Sequence, residues 1–227
     1  MKKLLLLLAV MFSFGMAAQT KSELQKHFEA YYQQMKKQGD VQGVISAMTH
    51  LDVLAPSQAR KDTIAYLYVS EGMNVEALNT LGIEKNASDS DLNVEVKAIA
   101  LKSLNQPKRA LEHYEVLFGR KPTPYLAYEI ADLKLQLQDI AGAQTSIEYG
   151  LANTKDDMKK AFYESQQPYE TSLKAAFLYL KALALYNEDT KANTEIALAT
   201  LNRALAIDPN FNLAKISKDA LLRKPKE

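Results

Sequence analysis

The stretch ALEHYEVLFGRKP, residues 110–122, decides how this chain folds. Ala110, Tyr114 and Leu117 recur at the spacing of one helix face, and Gly119 with Pro122 ends the helix. A small residue followed one turn later by a large one allows two helix axes to approach to about 8–10 Å, the alanine admitting the neighbour and the tyrosine filling the gap. A helix built this way is half of something. Its apolar stripe needs a second helix to cover it.

Shifting the sequence against itself by 33 positions brings the same pattern back. Val44, Ala77, Ala110 and Ala143 superimpose, and four residues later come Met48, Leu81, Tyr114 and Ile147. Twelve residues before the first column stand Tyr32, Ala65, Ala98 and Ala131; between the two lies a turn column of Gly39, Gly72, Asn105 and Gln138 with polar neighbours. Each copy therefore reads as two helices joined by a tight turn, with Pro56 and Pro122 marking the end of a copy. A fifth copy is displaced by an insertion: Ala197, Leu201, Ala204 and Pro209 keep the same offsets, with a first helix around Ala182. The expected repeats are about 24–56, 57–89, 90–122, 123–155 and 171–210, followed by a cap at 211–222 with Phe211, Leu213, Ile216 and Leu221 on its apolar side.

Residues 153–171 do not follow the period. Met158 and Phe162 have the spacing of one face of a short helix, broken by Pro168, and no segment of the chain reads as a convincing strand. A lengthened second helix and a lid over a groove both answer to this insert.

Composition narrows the function. With 47% hydrophobic and 24% charged residues the chain has the material for a continuous core. Lys and Arg number 28 against 27 acids, and loss of Lys2 and Lys3 with the leader described next leaves 26 against 27, a net charge of −1. A phosphate-binding surface needs a cation surplus to displace counterions, so nucleic acid is not an expected partner. The opening MKKLLLLLAVMFSFGMAAQT has a basic start, an apolar run from Leu4 to about Phe14, and small residues at Gly15, Ala17 and Ala18. This is the pattern of a secretory signal peptide over 1–18, leaving a mature domain at 19–227 in the periplasm or outside a bacterial cell. The run falls short of the about 20 residues a membrane helix needs. With no cysteine the chain can form neither a disulfide nor a lipid-bearing thiol, so packing must stabilise it.

No catalytic pattern emerges. His27, His50 and His113 stand on separate hairpins without zinc-ligand spacing, and His113 reads as a partly exposed helix residue. There is no glycine-rich phosphate loop after a strand and no G-x-S-x-G elbow, and the acids Asp156 and Asp157 sit in the polar insert. No enzyme activity, metal or cofactor is expected.

The columns of small residue, Ala, large residue, Ala and Pro resemble the tetratricopeptide repeat over nearly all of 22–210. The period here is 33, and Phe28, Lys61, Val94 and Ala127 occupy the column where that family commonly has Trp. The TPLH-like turns of ankyrin repeats, which share the period, do not occur. The resemblance implies an all-α fold, a right-handed superhelical stack of about five helix-turn-helix hairpins plus a C-terminal capping helix. It further implies a non-catalytic scaffold whose first helices line a concave groove for a peptide or a partner protein, here one of the cell envelope. A periplasmic carrier of a small molecule or glycan fragment, with 153–171 as its lid, is the alternative.

Carried over column by column, the resemblance implies a groove bearing Tyr66, Tyr125, Tyr128, Tyr179 and Tyr186 with Asp62, Glu95, Lys102 and Asp132. Lys26, Glu29 and Gln33 hold the same columns in the first copy. Tyrosine combines a large apolar body with a hydroxyl and is enriched at binding hot spots, but the same rings also serve to fill gaps between helices. The Lys and Asn pair with which family members clamp a terminal carboxylate is replaced by Glu29 and Gln33, Asp62 and Tyr66, Glu95 and Ile99, Tyr128 and Asp132, so no such clamp is expected.

Overall fold

The computed structural model describes residues 21–223, and the signal peptide read at 1–18 lies outside them. Helix α1 covers 21–38 and α2 Val41–Leu54. The following pairs are α3 (Gln58–Ser70) with α4 (Asn74–Leu81), α5 (Asp91–Ser103) with α6 (Pro107–Arg120), and α7 (Pro124–Gln136) with α8 (Ile140–Asn153). After two short strands, β1 (Lys159–Phe162) and β2 (Tyr169–Ser172), come α9 (Leu173–Glu188), α10 (Thr194–Ile207) and the closing α11 (Asn212–Leu222). The described residues thus form an all-α repeat of five helical hairpins and a final helix, with one small sheet added.

The turn column explains why the hairpins are alike. Gly39, Gly72, Asn105 and Gln138 all adopt left-handed backbone, with φ of 72°, 74°, 54° and 61°. In each copy the N–H of this residue donates to a carbonyl three back, and the next N–H to one five back, as in Asp40 to Met35 at 3.0 Å and Asp139 to Lys134 at 2.9 Å. That paired arrangement satisfies carbonyls a helix end would otherwise leave bare. The next helix starts at once. Asp40 and Asp139, one residue after the turn position, accept from the N–H of Gly43 and Gly142 at 2.9 and 3.0 Å, and Ser90 and Thr123 cap α5 and α7 in the same manner.

The chain divides into two compact units, one up to Ala100 and one from Leu101. In the first, Ile45, Met48 and Ile64 form one cluster against Tyr32 and Val44, and Ala65, Ala77 and Val96 another against Leu81. Lys97 is buried, its ammonium donating to the Glu84 carbonyl at 2.9 Å and pairing with Asp89 at 2.7 Å, which ties the long link between α4 and α5 to the latter helix. In the second unit a single core joins α7, α8, α9, α10 and the start of α11, with Phe177 and Phe211 fully enclosed. The alanines of the repeat columns, Ala65, Ala77, Ala98, Ala110, Ala131, Ala143 and Ala197, are all at 0% exposure. Small, fully buried side chains at these columns are what close helix packing requires.

Two expectations are corrected. The insert is an antiparallel hairpin, not a helix: Lys160 faces Thr171 and Phe162 faces Tyr169 in register. Alternation, not helical spacing, governs it, since Lys160 and Phe162 lie two residues apart and both reach the ring of Tyr128. His113 is not partly exposed but 2% exposed, because it stands three residues after Ala110 and so joins the buried stripe of Ala110, Tyr114 and Leu117.

Candidate functional site

In the first unit, α1, α2 and α3 enclose an open cavity of about 620 Å³. Met48 and Leu51 of α2 form its apolar floor, and Lys26, Glu29 and Gln33 stand along α1 at intervals of three and four, on one face. Arg60 closes the α3 side. Its Nη1 donates to the carbonyls of Leu51 and Ala55 at 3.0 and 2.6 Å, capping the end of α2, while its Nη2 and Nε have no partner among the described residues. Lys26 and Gln33 are likewise unpartnered there, and Glu29 accepts from Gln25 at 2.9 Å. An apolar floor thus lies below an amide that can both donate and accept and two cations that can donate. Such a lining suits a peptide, whose side chains are apolar and whose backbone offers carbonyls.

The second unit treats the corresponding face differently. Tyr128 on α7 is only 3% exposed because the hairpin β1–β2 lies over it. The Phe162 ring meets it edge-on at 6.3 Å, Phe177 approaches from the other side at 5.6 Å, and the Lys160 ammonium sits 4.6 Å from its centroid. Phe162 stacks on Tyr169 at 5.7 Å and touches Phe211, which also meets Tyr179 at 5.4 Å. Rings fill the space beneath the hairpin.

An ionic chain fastens its edge. Lys102, in the last turn of α5, bridges Glu129 at 2.5 Å and Asp132 at 2.7 Å, and Lys160 of β1 reaches the other oxygen of Glu129 at 2.6 Å. Burial works against every charge here, raising a carboxyl and lowering an ammonium. The pairing wins: despite burial, Lys102 and Lys160 hold the Glu129 carboxyl below its ordinary value, and Glu129 and Asp132 hold Lys102 above its own. Burial, reinforced by the Asp132 and Glu129 charges, pushes the Tyr128 hydroxyl well up, and burial also raises Tyr179 and Tyr169, the latter helped by its bond to Glu164. These shifts move each group away from neutrality, the reverse of what proton transfer at neutral pH requires.

The nine residues selected from sequence differ in their surroundings. In the first unit Tyr66 is 52% exposed, Asp62 accepts from Gln58 at 2.8 Å, and Glu95 is exposed. In the second, Lys102 and Asp132 pair directly, Tyr125 is 45% exposed, Tyr179 and Tyr186 are half-buried, and Tyr128 is covered. Sequence reasoning missed Arg60, whose position depends on the end of α2, and Glu129 with Lys160, 31 residues apart and joined only when the hairpin folds back. Among the described residues no three His, Cys, Asp or Glu side chains gather as a metal site, and no helix is long and apolar enough to cross a membrane.

No protein-family model and no curated protein matches the chain. Solved structures do. A tetratricopeptide repeat protein from Parabacteroides merdae ATCC 43184 superimposes with a TM-score of 0.65 at 14% identity, covering 88% of this chain and 72% of that one. YrrB, described as a TPR protein with an unusual peptide-binding site, gives 0.65 at 15% identity over 91% of this chain and 97% of its own. The Cut9–Hcn1 hetero-tetramer of APC/C gives 0.55 at 15%, over 92% of this chain and 40% of the other. The chain has a tetratricopeptide-repeat-like fold.

Proposed function

We propose that this protein is an exported, non-catalytic scaffold that binds an extended peptide segment of a cell-envelope partner in the cavity formed by α1, α2 and α3. The observation that carries the reading is the lining of that cavity: Gln33 and Lys26, which have no partner among the described residues, and Arg60, bonded to carbonyls and ion-paired to Asp52 through Nη1 but with Nη2 and Nε open, stand above the apolar Met48 and Leu51. Peptide binding is attributed to YrrB, which shares the fold. Export rests on the leader pattern of the sequence. The carrier reading, with the insert as a lid, finds less support, since the hairpin rests on packed rings.

The test uses a photo-crosslinking residue at Gln33 in the full chain expressed in cells, with and without Ala30→Trp. Ala30 is exposed on the cavity wall, so the indole obstructs the cavity without entering the core. A discrete adduct at Gln33 that Ala30→Trp abolishes, with unchanged thermal unfolding, is the expected result. An adduct that survives the obstruction would refute the proposed location.

A further inference from the structure

A second cleft lies on a different face of α9 from Tyr179 and Tyr186. Leu178 and Leu151 make its floor, Ile207 of α10 stands at its lip 43% exposed, and the volume is about 390 Å³. Around this apolar patch stand Lys174 and Lys181 of α9 and Arg203 of α10. None of the three cations has a hydrogen bond or ion pair among the described residues, although Lys97, Lys102, Lys134, Lys160 and Arg60 in the same chain are paired or bonded to acids and carbonyls. Three unneutralised charges around one greasy depression form a pattern that attracts an anion with an apolar part.

Spacing selects the kind of anion. Lys174 and Lys181 are two helical turns apart, which sets their backbones about 10 Å from each other along α9. Leu178 lies between them. A ligand with one anionic head, such as a fatty acid or inorganic phosphate, meets one end of this row only. In a peptide of polyproline-II conformation, with three residues per turn and about 3.1 Å rise, residues three apart lie on the same edge and are separated by about 9 Å. Two carboxylates so placed, flanking a large apolar side chain, match both lysines and leave the apolar group over Leu178 and Ile207. The chain's own leader is no candidate, since its charges, Lys2 and Lys3, repeat the sign of the rim.

From this complementarity we propose that the cleft between α8, α9 and α10 is a second binding site, for an acidic peptide segment that carries one large apolar residue between carboxylates. It is independent of the cavity at α1–α3. Rim charges of this kind steer and select more than they anchor, so the binding is salt-sensitive.

The experiment measures fluorescence anisotropy of a labelled hexapeptide of two glutamates, leucine, phenylalanine and two glutamates, titrated with the full mature chain at low salt. A version with glutamine in place of every glutamate, and one with serine in place of both apolar residues, serve as comparisons. Binding of the acidic peptide should weaken about tenfold or more for the glutamine version and in the double variant Lys174→Glu, Arg203→Glu, whose side chains are exposed and whose melting should not change. Ile207→Ser should weaken it too, whereas Ala30→Trp should leave it intact, separating this site from the first. Absence of binding up to millimolar peptide, equal binding of the glutamine version, or indifference to the double charge reversal would overturn the proposal. So would phosphatidylglycerol vesicles that bind the chain in place of the peptide through the same three cations.

Discussion

Replacing Gly150 by alanine should destabilise the second unit, although the same change in a helix ordinarily stabilises. In a free helix alanine is favoured over glycine by about 0.8–1 kcal/mol. At Gly150 of α8 the added methyl would run into the Cζ and both Cε atoms of Phe177, well inside any carbon contact. Phe177 has no room to retreat: it is at 0% exposure, and Tyr128 stands behind it at 5.6 Å. Overpacking of a rigid core costs about 1–3 kcal/mol, and so direct an overlap belongs at the upper end. Setting about 3 against about 1 leaves a net loss of about 2 kcal/mol, a fall of about 4–8 °C in melting temperature for a chain of this size. Far-ultraviolet circular dichroism follows the transition; the chain has no tryptophan to report it. Gly119→Ala is the control, since a methyl there meets nothing within 4 Å and should raise stability slightly. Adding Phe177→Leu to Gly150→Ala should cost less than the two changes summed, because the shorter side chain vacates the collision. If Gly150→Ala melts at or above the parent temperature, the close approach of α8 and α9 described above is wrong.

Lys97→Met should cost about 3 kcal/mol in urea unfolding, because Asp89, whose side chain is 10% exposed, loses the cation that offsets its burial; Asp89→Asn in the same chain should restore part of it. The hairpin should loosen in acid. Glu129 titrates below its ordinary value of 4.5 in the folded protein, so its contribution is complete above that pH and is lost as pH falls through the lower folded value. Hydrogen exchange at 159–172, corrected for intrinsic rates, should show protection falling over that interval, and Glu129→Gln should remove the pH dependence.

Much of the fold was legible because its causes are local and repeated. The small columns at Ala65, Ala98 and Ala131 marked close helix contacts, and all three are fully buried. The turn column was visible as Gly39 and Gly72, and the backbone at Asn105 and Gln138 follows the same left-handed path without glycine. Asparagine tolerates that region through its short polar side chain, whereas Gln138 is held there by the hairpin on either side. His113 was misread because its identity, a polar ring, was weighed above its offset from Ala110. In a tightly packed stripe the offset prevails.

The sequence by itself determined the succession of helical hairpins, since helix period, capping and turn conformation each depend on residues within a few positions of one another. Only the tertiary structure decided what became of 159–172 and of Tyr128. Two four-residue strands do not hold together alone in water, and they persist here because α7 and α9 supply a surface of rings and Glu129 supplies an anchor for Lys160. Contacts between residues 31 positions apart carry no periodic signature, so the face that carries Tyr128 was legible from the repeat while its cover was not.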